Sequence, residues 1–393
     1  MDFGFSPEEE KFREEVREFL KSEPPDKFPC ENHDEGYGFG AWSVAFARRI
    51  GEKGWIGLTW PKECGGQGRS VMELYILFQE LAYAKAPAEV LFYIETVGEA
   101  LVKGGSEELK RELLPKAAAG EVTFWEGFSE PNAGSDLLSL TTHAVQDGDY
   151  FIVNGQKTWN SNAHIADYGF TAVRTDPEAP RHKGISLFLV DMKTPGVEAV
   201  PIKDMAGGEP FSEVFFEDVR VPKKNLIGEV NQGLSFLLGG LEWDRFWGRC
   251  AKAPYLHRLL EELIDYCKET KVNGKPLTEN PLIRHKLADL AIETEVCRAL
   301  FYRPLAMLCK GQSLTYETCG AKAYADELGQ RFINTVMQIM GLYGQLEVGS
   351  KWAPFGGHME RQYLSSIGHT LAGGSSEIER NTIAIRGLNL PRG

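Results

Sequence analysis

Side chains that could do chemistry lie at three places in the sequence. A turn-rich run, Ser129-Glu-Pro-Asn-Ala-Gly-Ser-Asp136, offers hydroxyl donors, and Trp159 and Ser161 follow a later β-type run that begins at Tyr150. Further on, Asp244 stands directly before Arg245. Hydroxyls and aromatic rings can bind a ligand, whereas a carboxylate can also take up a proton. Taken one at a time, these runs are an ordinary turn, strand and helix face.

The histidines and cysteines give no sign of a metal site. The eight histidines show no HxxxH or HExxH spacing, and the cysteines include no CxxC pair. The cysteines are scattered and odd in number: Cys30, Cys64, Cys250, Cys267, Cys297, Cys309 and Cys319. We therefore expect free thiols, no disulfide framework and no metal centre.

The elements that must position these residues change in character along the chain. Apolar residues recur at the helical period up to about residue 120, and short β-branched and aromatic runs follow. After Pro222 the helical period returns, in long segments joined by short loops that indicate a bundle. The sequence thus predicts an α+β fold with a helical domain at residues 1–120, a small β-barrel-like domain at 121–226 and a helical bundle at 227–393.

Individual elements follow from the same patterns. Helices are predicted from Pro7 onward and near residues 41–51, 72–84, 90–102, 107–119, 234–271, 281–309, 315–340 and 377–388. Strands are predicted at residues 150–153, 168–173, 184–191, 197–202 and 212–221, with Asn154-Gly155 as a turn after the first of them.

Composition excludes several classes of protein. The chain has 393 residues with 43 Lys+Arg against 56 Asp+Glu, and its formal net charge of −13 is too acidic for an ordinary nucleic-acid binder. No apolar run approaches the roughly 20 residues that cross a bilayer. The first residues have the features of neither a signal peptide nor a transit peptide. We therefore expect a cytoplasmic protein without membrane insertion and without a nucleic-acid partner.

Several runs taken together resemble the acyl-CoA dehydrogenase family. The run beginning at Ser129 is followed at family spacing by Asp147-Gly-Asp-Tyr-Phe-Ile-Val-Asn-Gly-Gln-Lys-Thr-Trp-Asn-Ser161. Asn225-Leu-Ile-Gly-Glu comes next, and Ala372-Gly-Gly-Ser-Ser-Glu-Ile-Glu-Arg lies near the C-terminus. The resemblance covers nearly the whole chain. It implies the family's helical, β and helical domains, bound FAD and an acyl-CoA thioester as substrate.

The resemblance also implies which residues meet the flavin. Ser129 and Ser161 stand where the family has hydroxyl donors to the isoalloxazine ring, and Trp159 stands where a tryptophan lies against it. Ser135 is expected near phosphate or the incoming acyl-CoA. The expected cofactor site in this part of the chain is Phe128, Ser129, Gly134, Ser135, Trp159 and Ser161.

Two other segments resemble the part of the cofactor site that the family completes from a neighbouring subunit. Gln338 and Gly341 lie in a run similar to the family's Gln-x-x-Gly-Gly-x-Gly segment, with Leu342 in place of one glycine. Ser375 and Glu377 stand where the C-terminal Gly-Thr-Ser motif contacts the dinucleotide. Such sharing makes oligomerisation part of cofactor binding, and the resemblance implies a homotetramer.

One position departs from the family on the pyrophosphate side. Thr270 stands where many members have an arginine that contacts the flavin pyrophosphate. Lys271 or Lys275 is a candidate replacement, and a solvated surface charge is an equally good interpretation of either lysine.

Dehydrogenation of a thioester needs a carboxylate that removes the α-proton, and the family keeps it in one of two places. The commoner place, just before a Gly-Thr near the C-terminus, holds Gly373 here, and glycine takes up no proton. In isovaleryl-type members the base lies on a helix directly before an arginine, and Asp244 has that position. Arg245 and Gly374 are expected to place the acyl-CoA, and Glu242 to contact its adenosine end.

The type of base bears on the substrate. Aspartate is one methylene shorter than glutamate, and aspartate in this role resembles dehydrogenases of cyclohexane-type thioesters. We therefore expect an alicyclic acyl group, of cyclohexane- or cyclohexene-carboxyl type, or a branched one. Glu95 and Glu126 are candidates for the second carboxylate that a 1,4-elimination would use, although each also fits a structural acid. Asp244 likewise fits a helix-face residue paired with an arginine.

The sequence is compatible with three functions. The first is an acyl-CoA dehydrogenase that passes electrons to an electron-transferring flavoprotein, and the second is an oxidase or monooxygenase on the same fold. The third is a catalytically silent or partner-dependent subunit of a hetero-oligomer, which Thr270, Leu342 and Gly373 favour. The hydroxyls, the tryptophan and the acid before Arg245 count against a silent subunit.

Overall fold

The computed structural model describes residues 4–23 and 40–391. Its helices are α1 (Pro7–Ser22), α2 (Ala41–Glu52), α3 (Val71–Tyr83), α4 (Glu89–Gly104), α5 (Glu107–Ala118), α6 (Leu234–Cys250), α7 (Lys252–Glu269), α8 (Pro281–Cys309), α9 (Glu317–Met340), α10 (His358–His369) and α11 (Ser376–Thr382). Its strands are β1 (Phe124–Gly127), β2 (His143–Asp147), β3 (Tyr150–Ser161), β4 (Tyr168–Arg174), β5 (Ile185–Asp191), β6 (Val197–Ile202), β7 (Phe211–Pro222), β8 (Leu226–Ile227), β9 (Lys271–Val272) and β10 (Lys275–Pro276).

Helix α1 shows how local sequence sets these elements. Ser6 accepts a hydrogen bond from the Glu9 N–H while the Glu9 carboxylate accepts one from the Ser6 N–H, which is a capping box. Proline occupies the first helical position, where its missing N–H costs nothing. Phe12, Val16 and Phe19 then recur on one face and are buried.

Eight of the strands form one mixed sheet in the order β6-β7-β3-β2-β4-β5-β8, with β1 paired to β4. The long antiparallel pair of β3 and β7 is interrupted twice, between Val153 and Gly155 and between Lys157 and Asn160. Such irregularities bend a strand and redirect its side chains. The second one contains Trp159, whose φ of 60° is uncommon for a residue other than glycine.

The chain divides into two compact units. The first comprises the described residues of Met1–Lys27, Val71–Ala86 and Asp244–Gly393, and so contains α1, α3 and the helices from α7 onward. The second comprises the described residues of Phe28–Ser70 and Pro87–Trp243, and so contains α2, α4, α5 and strands β1 to β8. The division falls within α6, after Trp243.

The predicted order of helical, β and helical regions is confirmed. The predicted helices correspond to α1 to α9 and α11, except that the segment expected over residues 234–271 is two helices, α6 and α7, which meet at Ala251. Asn154-Gly155 is not a turn: β3 continues through it, because the register shift against β7 absorbs the irregular backbone. The sequence pattern did not predict strands β1, β2, β8, β9 and β10 or helix α10.

Candidate active site

In the second unit, the structure brings Ser129 and the strand that carries Trp159 together. The Thr158 N–H donates a hydrogen bond of 3.0 Å to the Ser129 carbonyl, so the turn lies against the end of β3. Trp159 is 63% exposed and its ring meets Phe211 edge-on, with centroids 5.9 Å apart. Ser161 lies opposite Phe211 in the strand register. The exposed tryptophan and the two serines therefore lie on neighbouring segments of this unit.

The other residues of the predicted cofactor segment are a buried aromatic, Phe128, and an exposed loop that contains Gly134 and Ser135. Phe128 is buried, with its ring 5.7 Å from that of Phe170 in an edge-to-face contact. Gly134 and Ser135 are exposed, and a Cβ placed on Gly134 would meet no atom within 4 Å. The loop therefore leaves open space at Gly134, the residue before the exposed Ser135.

A buried ion pair beneath this turn was not predicted. The Lys157 ammonium donates to the Phe128 carbonyl at 3.2 Å and to Glu130 Oε1 at 2.9 Å. The Glu130 carboxylate also accepts from the Thr141 N–H and hydroxyl and from the Thr142 N–H. The sequence contained no signal for this pair, because the burial of Lys157 depends on contacts with Phe128 and Glu130, which are distant in sequence.

The pKa values of the pair reflect this setting. Burial alone would raise the pKa of the Glu130 carboxyl, but Lys157 and the hydrogen bonds outweigh it and lower the pKa to about 2. Burial lowers the pKa of Lys157 to about 8 against the opposing attraction of Glu130. The carboxylate is therefore ionised at neutral pH.

In the first unit, the structure brings Asp244 against Gly373. A Cβ placed on Gly373 would overlap Asp244 Oδ2, and the φ of Gly373 is 64°. The two positions at which the resemblance implies a catalytic carboxylate are therefore adjacent in this fold, and of the two only residue 244 is an acid. The Asp244 side chain is 16% exposed.

The predicted substrate residues Arg245 and Gly374 also lie together. Arg245 Nε donates a hydrogen bond of 2.9 Å to Glu379 Oε1, and the Glu379 side chain is fully buried. A Cβ on Gly374 would lie 3.5 Å from Arg245 Nη2 and would overlap the Glu379 carboxylate. Glycine at 374 thus leaves room for this buried pair. Glu242 is half-buried on α6.

A second buried cluster lies behind Asp244. Arg249 Nη1 is 3.9 Å from Asp244 Oδ1, and Arg249 Nε donates at 2.6 Å to Asp326 Oδ1. Lys322 lies 3.0 Å from Asp326 Oδ2 and donates to the Gly374 carbonyl. Asp326 therefore links the proposed base to the loop of Gly373 and Gly374. The i,i+4 spacing of Lys322 and Asp326 is typical of exposed helix pairs, so the sequence did not distinguish this cluster.

The segments expected to reach a neighbouring subunit lie in the first unit. Gln338 accepts a 2.6 Å hydrogen bond from Lys286, and Gly341, with φ of 61°, follows the end of α9. Leu342 is 81% exposed. Ser375 caps α11 by accepting from the Ile378 N–H at 3.3 Å. Their roles toward a cofactor stay predictions.

Other predicted positions have plain structural settings. Thr270 ends α7, and Glu377 is exposed in the first turn of α11. Lys271 and Lys275 are both exposed in the β9–β10 hairpin. Glu126 lies in β1, in register with Phe170.

Glu95 is a buried carboxyl in the second unit. Its Oε1 accepts a 2.7 Å hydrogen bond from the Gly57 N–H, and its Oε2 has no hydrogen-bond partner within residues 4–23 and 40–391. Burial raises the pKa of Glu95 to about 8, with a smaller opposing effect of the Gly57 N–H. Glu95 is therefore mainly protonated at neutral pH and is poorly suited to remove a proton.

The described residues contain neither a metal-binding cluster nor a membrane-spanning helix. Among them, no group of three or more His, Cys, Asp or Glu side chains is arranged to hold a metal ion. In the described part of the chain, no helix is long and apolar enough to cross a membrane. The described cysteines are free thiols, and Cys30 lies outside the described residues.

Comparison with known proteins decides the family. Models of the acyl-CoA dehydrogenase N-terminal, middle and C-terminal domains match residues 6–121, 126–219 and 231–388. Acyl-CoA dehydrogenase FadE26 of Mycobacterium tuberculosis is 34% identical over 402 aligned residues, which cover 100% of this chain and 99% of FadE26. The chain belongs to the acyl-CoA dehydrogenase family. It is an oxidoreductase, and its cofactor is FAD.

Solved structures of acyl-CoA dehydrogenases share the whole fold. The Tcur3481-Tcur3483 steroid ACAD matches with a TM-score of 0.90 and 34% identity, covering 100% of both chains. The ChsE4-ChsE5 complex from Mycobacterium tuberculosis matches with a TM-score of 0.88 and 33% identity, again over 100% of both chains. The resemblance found in the sequence is therefore confirmed at the level of family and fold.

The residues of the second unit fit FAD. The hydroxyls of Ser129 and Ser161 hydrogen-bond to no atom of the described residues, so both are available to the heteroatoms of a flavin ring. Trp159 offers an exposed aromatic face. The open surroundings of Gly134 allow a ligand phosphate to approach the backbone of this loop. Hydroxyl donors beside an exposed ring suit an isoalloxazine.

Proposed function

We propose that this acyl-CoA dehydrogenase oxidises an alicyclic or branched acyl-CoA thioester to its 2-enoyl thioester, with Asp244 as the base. The observation that carries the proposal is the pairing of Asp244 with Gly373. Of the two adjacent places for a catalytic carboxylate, one holds an acid and the other holds no side chain. Asp244 is therefore the carboxylate that the family's reaction requires.

The chain's own residues would act as follows. Asp244 takes the α-proton of the thioester, and the electron pair of that C–H bond becomes the new double bond to the β-carbon. Bound FAD would supply the acceptor for the hydride that leaves the β-carbon. Arg249, 3.9 Å from Asp244, attracts the carboxylate and limits the positions it can take. Arg245, held by Glu379, places the acyl-CoA.

The preference for a bulky acyl group rests on the shorter reach of aspartate. With one methylene fewer than glutamate, the carboxylate needs an α-carbon that is held close to α6. The similar solved structure that is named a steroid ACAD supports this preference.

A single-base 1,2-dehydrogenation is favoured over a 1,4-elimination. The latter needs a second carboxylate, for which Glu95 and Glu126 were the candidates. Glu95 has a pKa of about 8 because it is buried, so it is mainly protonated at neutral pH. Glu126 remains the alternative second acid.

We further propose that the chain works in an assembly with a second, related acyl-CoA dehydrogenase chain, with electrons leaving to an electron-transferring flavoprotein. The relative ChsE4-ChsE5 is a complex, which supports a hetero-oligomer. Leu342 and Thr270 also depart from the family where a chain meets a neighbour's dinucleotide. A homotetramer is the alternative, and the mass of the purified assembly decides between them. An oxidase would instead consume oxygen during turnover.

The experiment is an anaerobic titration of the purified flavoprotein followed by its visible spectrum. A cyclohexanecarboxyl-CoA, a 2-methyl-branched acyl-CoA and a straight-chain acyl-CoA are added in turn. Bleaching of the flavin band by the cyclic or branched thioester, at concentrations where the straight chain has no effect, supports the proposal. Bleaching by the straight chain alone contradicts the substrate class, and no bleaching by any thioester favours a silent subunit.

A further inference from the structure

The turn that carries Ser129 is fixed by hydrogen bonds from β3. The Phe128 carbonyl accepts from the Lys157 ammonium at 3.2 Å, and the Ser129 carbonyl accepts from the Thr158 N–H at 3.0 Å. Glu130 closes its own small turn by exchanging hydrogen bonds with Ala133. Two consecutive carbonyls of the turn are therefore held by two consecutive residues of one strand.

Lys157 is buried where it contacts this turn. Its side chain is fully buried, and the Glu130 side chain is 4% exposed. Glu130 is in turn held by the N–H groups of Thr141 and Thr142 and by the Thr141 hydroxyl. The ammonium therefore connects the turn, the strand and the segment that follows the open loop.

Stability alone is a weak reason for such a pair. Removing two charges from water is costly, and replacing a buried ion pair by apolar side chains of similar volume is often neutral or stabilising. What an apolar side chain could not supply is a directed hydrogen bond to the Phe128 carbonyl, which orients the peptide before Ser129. Two residues beyond Lys157 the same strand presents the exposed Trp159.

We propose that Lys157 is a positioning residue for FAD: through the Phe128 carbonyl and the Glu130 carboxylate, it fixes the turn so that the Ser129 hydroxyl and Trp159 face the flavin together. Lys157 itself touches no cofactor in this role. The proposal concerns cofactor binding and is independent of the substrate and of Asp244.

The test compares FAD binding in Lys157→Met with binding in the double variant Lys157→Met/Glu130→Gln. The double variant removes the hydrogen bond to Phe128 without leaving a lone buried charge, so it supplies the test even if the single variant does not fold. FAD is removed from the purified assembly, and its rebinding is followed by flavin fluorescence and by the position of the flavin absorption bands. Circular dichroism and the mass of the assembly are checked for each variant.

We expect the dissociation constant for FAD to rise at least tenfold in both variants, with shifted flavin bands. Lys224→Met, which removes a lysine paired with Glu108 and Glu112 at the surface of the same unit, is the matched control and should bind FAD with wild-type affinity. A folded, assembled double variant with wild-type affinity and spectrum would overturn the proposal. The proposal would also be overturned if Lys157→Met bound FAD weakly and the double variant bound it with wild-type affinity. The weak binding would then come from the unpaired Glu130 charge and not from the lost hydrogen bond to Phe128.

Discussion

Asp244 and Gly373 are complementary in space: the carboxylate of one occupies the volume that a side chain on the other would need. Gly373 also has a φ of 64°, a conformation that residues with a Cβ rarely adopt. A carboxylate base at residue 244 on α6 therefore requires a glycine at residue 373 in the loop. A chain with Asp244 in this position cannot keep a side chain at 373 without displacing the carboxylate.

Gly373→Ala should impair the reaction while leaving FAD bound. The new Cβ would displace the Asp244 carboxylate and strain the backbone, and small misplacements of a catalytic group cost on the order of 100-fold in rate. We expect the rate of flavin reduction by substrate, measured by stopped-flow absorbance, to fall by about that factor.

A matched glycine separates displacement from strain. Gly274 has a φ of 79°, and a Cβ there would meet no atom within 4 Å. Gly274→Ala therefore introduces backbone strain without displacing another group. This variant should reduce its flavin at the wild-type rate. Equal rates for Gly373→Ala and wild type would show that the carboxylate is not displaced or is not the base.

Asp326→Asn should strongly destabilise the first unit. Asp326 is fully buried and neutralises Arg249 and Lys322, and removing one partner of a buried ion pair typically costs about 3–5 kcal/mol. Urea unfolding should show this loss. Glu327→Gln, at the next residue, breaks an exposed pair with Arg380 and should cost about 1 kcal/mol or less. Similar losses for the two variants would mean that the buried cluster is not stabilised as described.

Trp159→Gly should separate stability from cofactor binding. Glycine adopts the φ of 60° without strain, which offsets the lost contact with Phe211, so the apoprotein should keep its stability within about 1 kcal/mol. The dissociation constant for FAD should rise at least tenfold. Asn273→Gly relieves a similar φ of 53° in the β9–β10 hairpin and should leave FAD binding unchanged. If Trp159→Gly bound FAD with wild-type affinity, Trp159 would not be part of the cofactor site.

Glu95 should make stability depend on pH in a defined window. Its pKa is raised by burial from 4.5 to about 8, so between these values the unfolded chain releases a proton that the folded chain keeps. The free energy of unfolding, taken relative to that of Glu95→Gln, should therefore fall by about 1.4 kcal/mol per pH unit from pH 4.5 to 8. Above pH 8 the difference should stay constant. Urea unfolding of both proteins across this range checks it. A constant difference would show that Glu95 is solvated.

The sequence predicted the elements where a periodic pattern was long, and missed them where it was short. Helices α8 and α9 follow from sustained apolar spacing. Strand β1 has four residues and β8 has two, too few for a period to be recognised. Strand β3 continues through Asn154-Gly155 because its partner strand holds it there, which is a tertiary effect.

The candidate site was predictable only in its motif residues. Ser129, Trp159 and Asp244 stood out through the family resemblance. The residues that hold them, Lys157 and Asp326, did not, because their burial and partners depend on contacts between segments distant in sequence. Nothing in the sequence shows that Gly373 faces Asp244.

The most direct measurement is anaerobic flavin reduction in Asp244→Asn, with the thioester that best reduces the wild-type protein. Asparagine keeps the shape of the side chain but removes the base, and loss of a general base typically costs about 100- to 10,000-fold. We predict that Asp244→Asn binds FAD and acyl-CoA as wild type does but reduces its flavin slower by at least 100-fold. Reduction at the wild-type rate would contradict Asp244 as the base, and the same assay on Glu126→Gln and Glu95→Gln would then locate it.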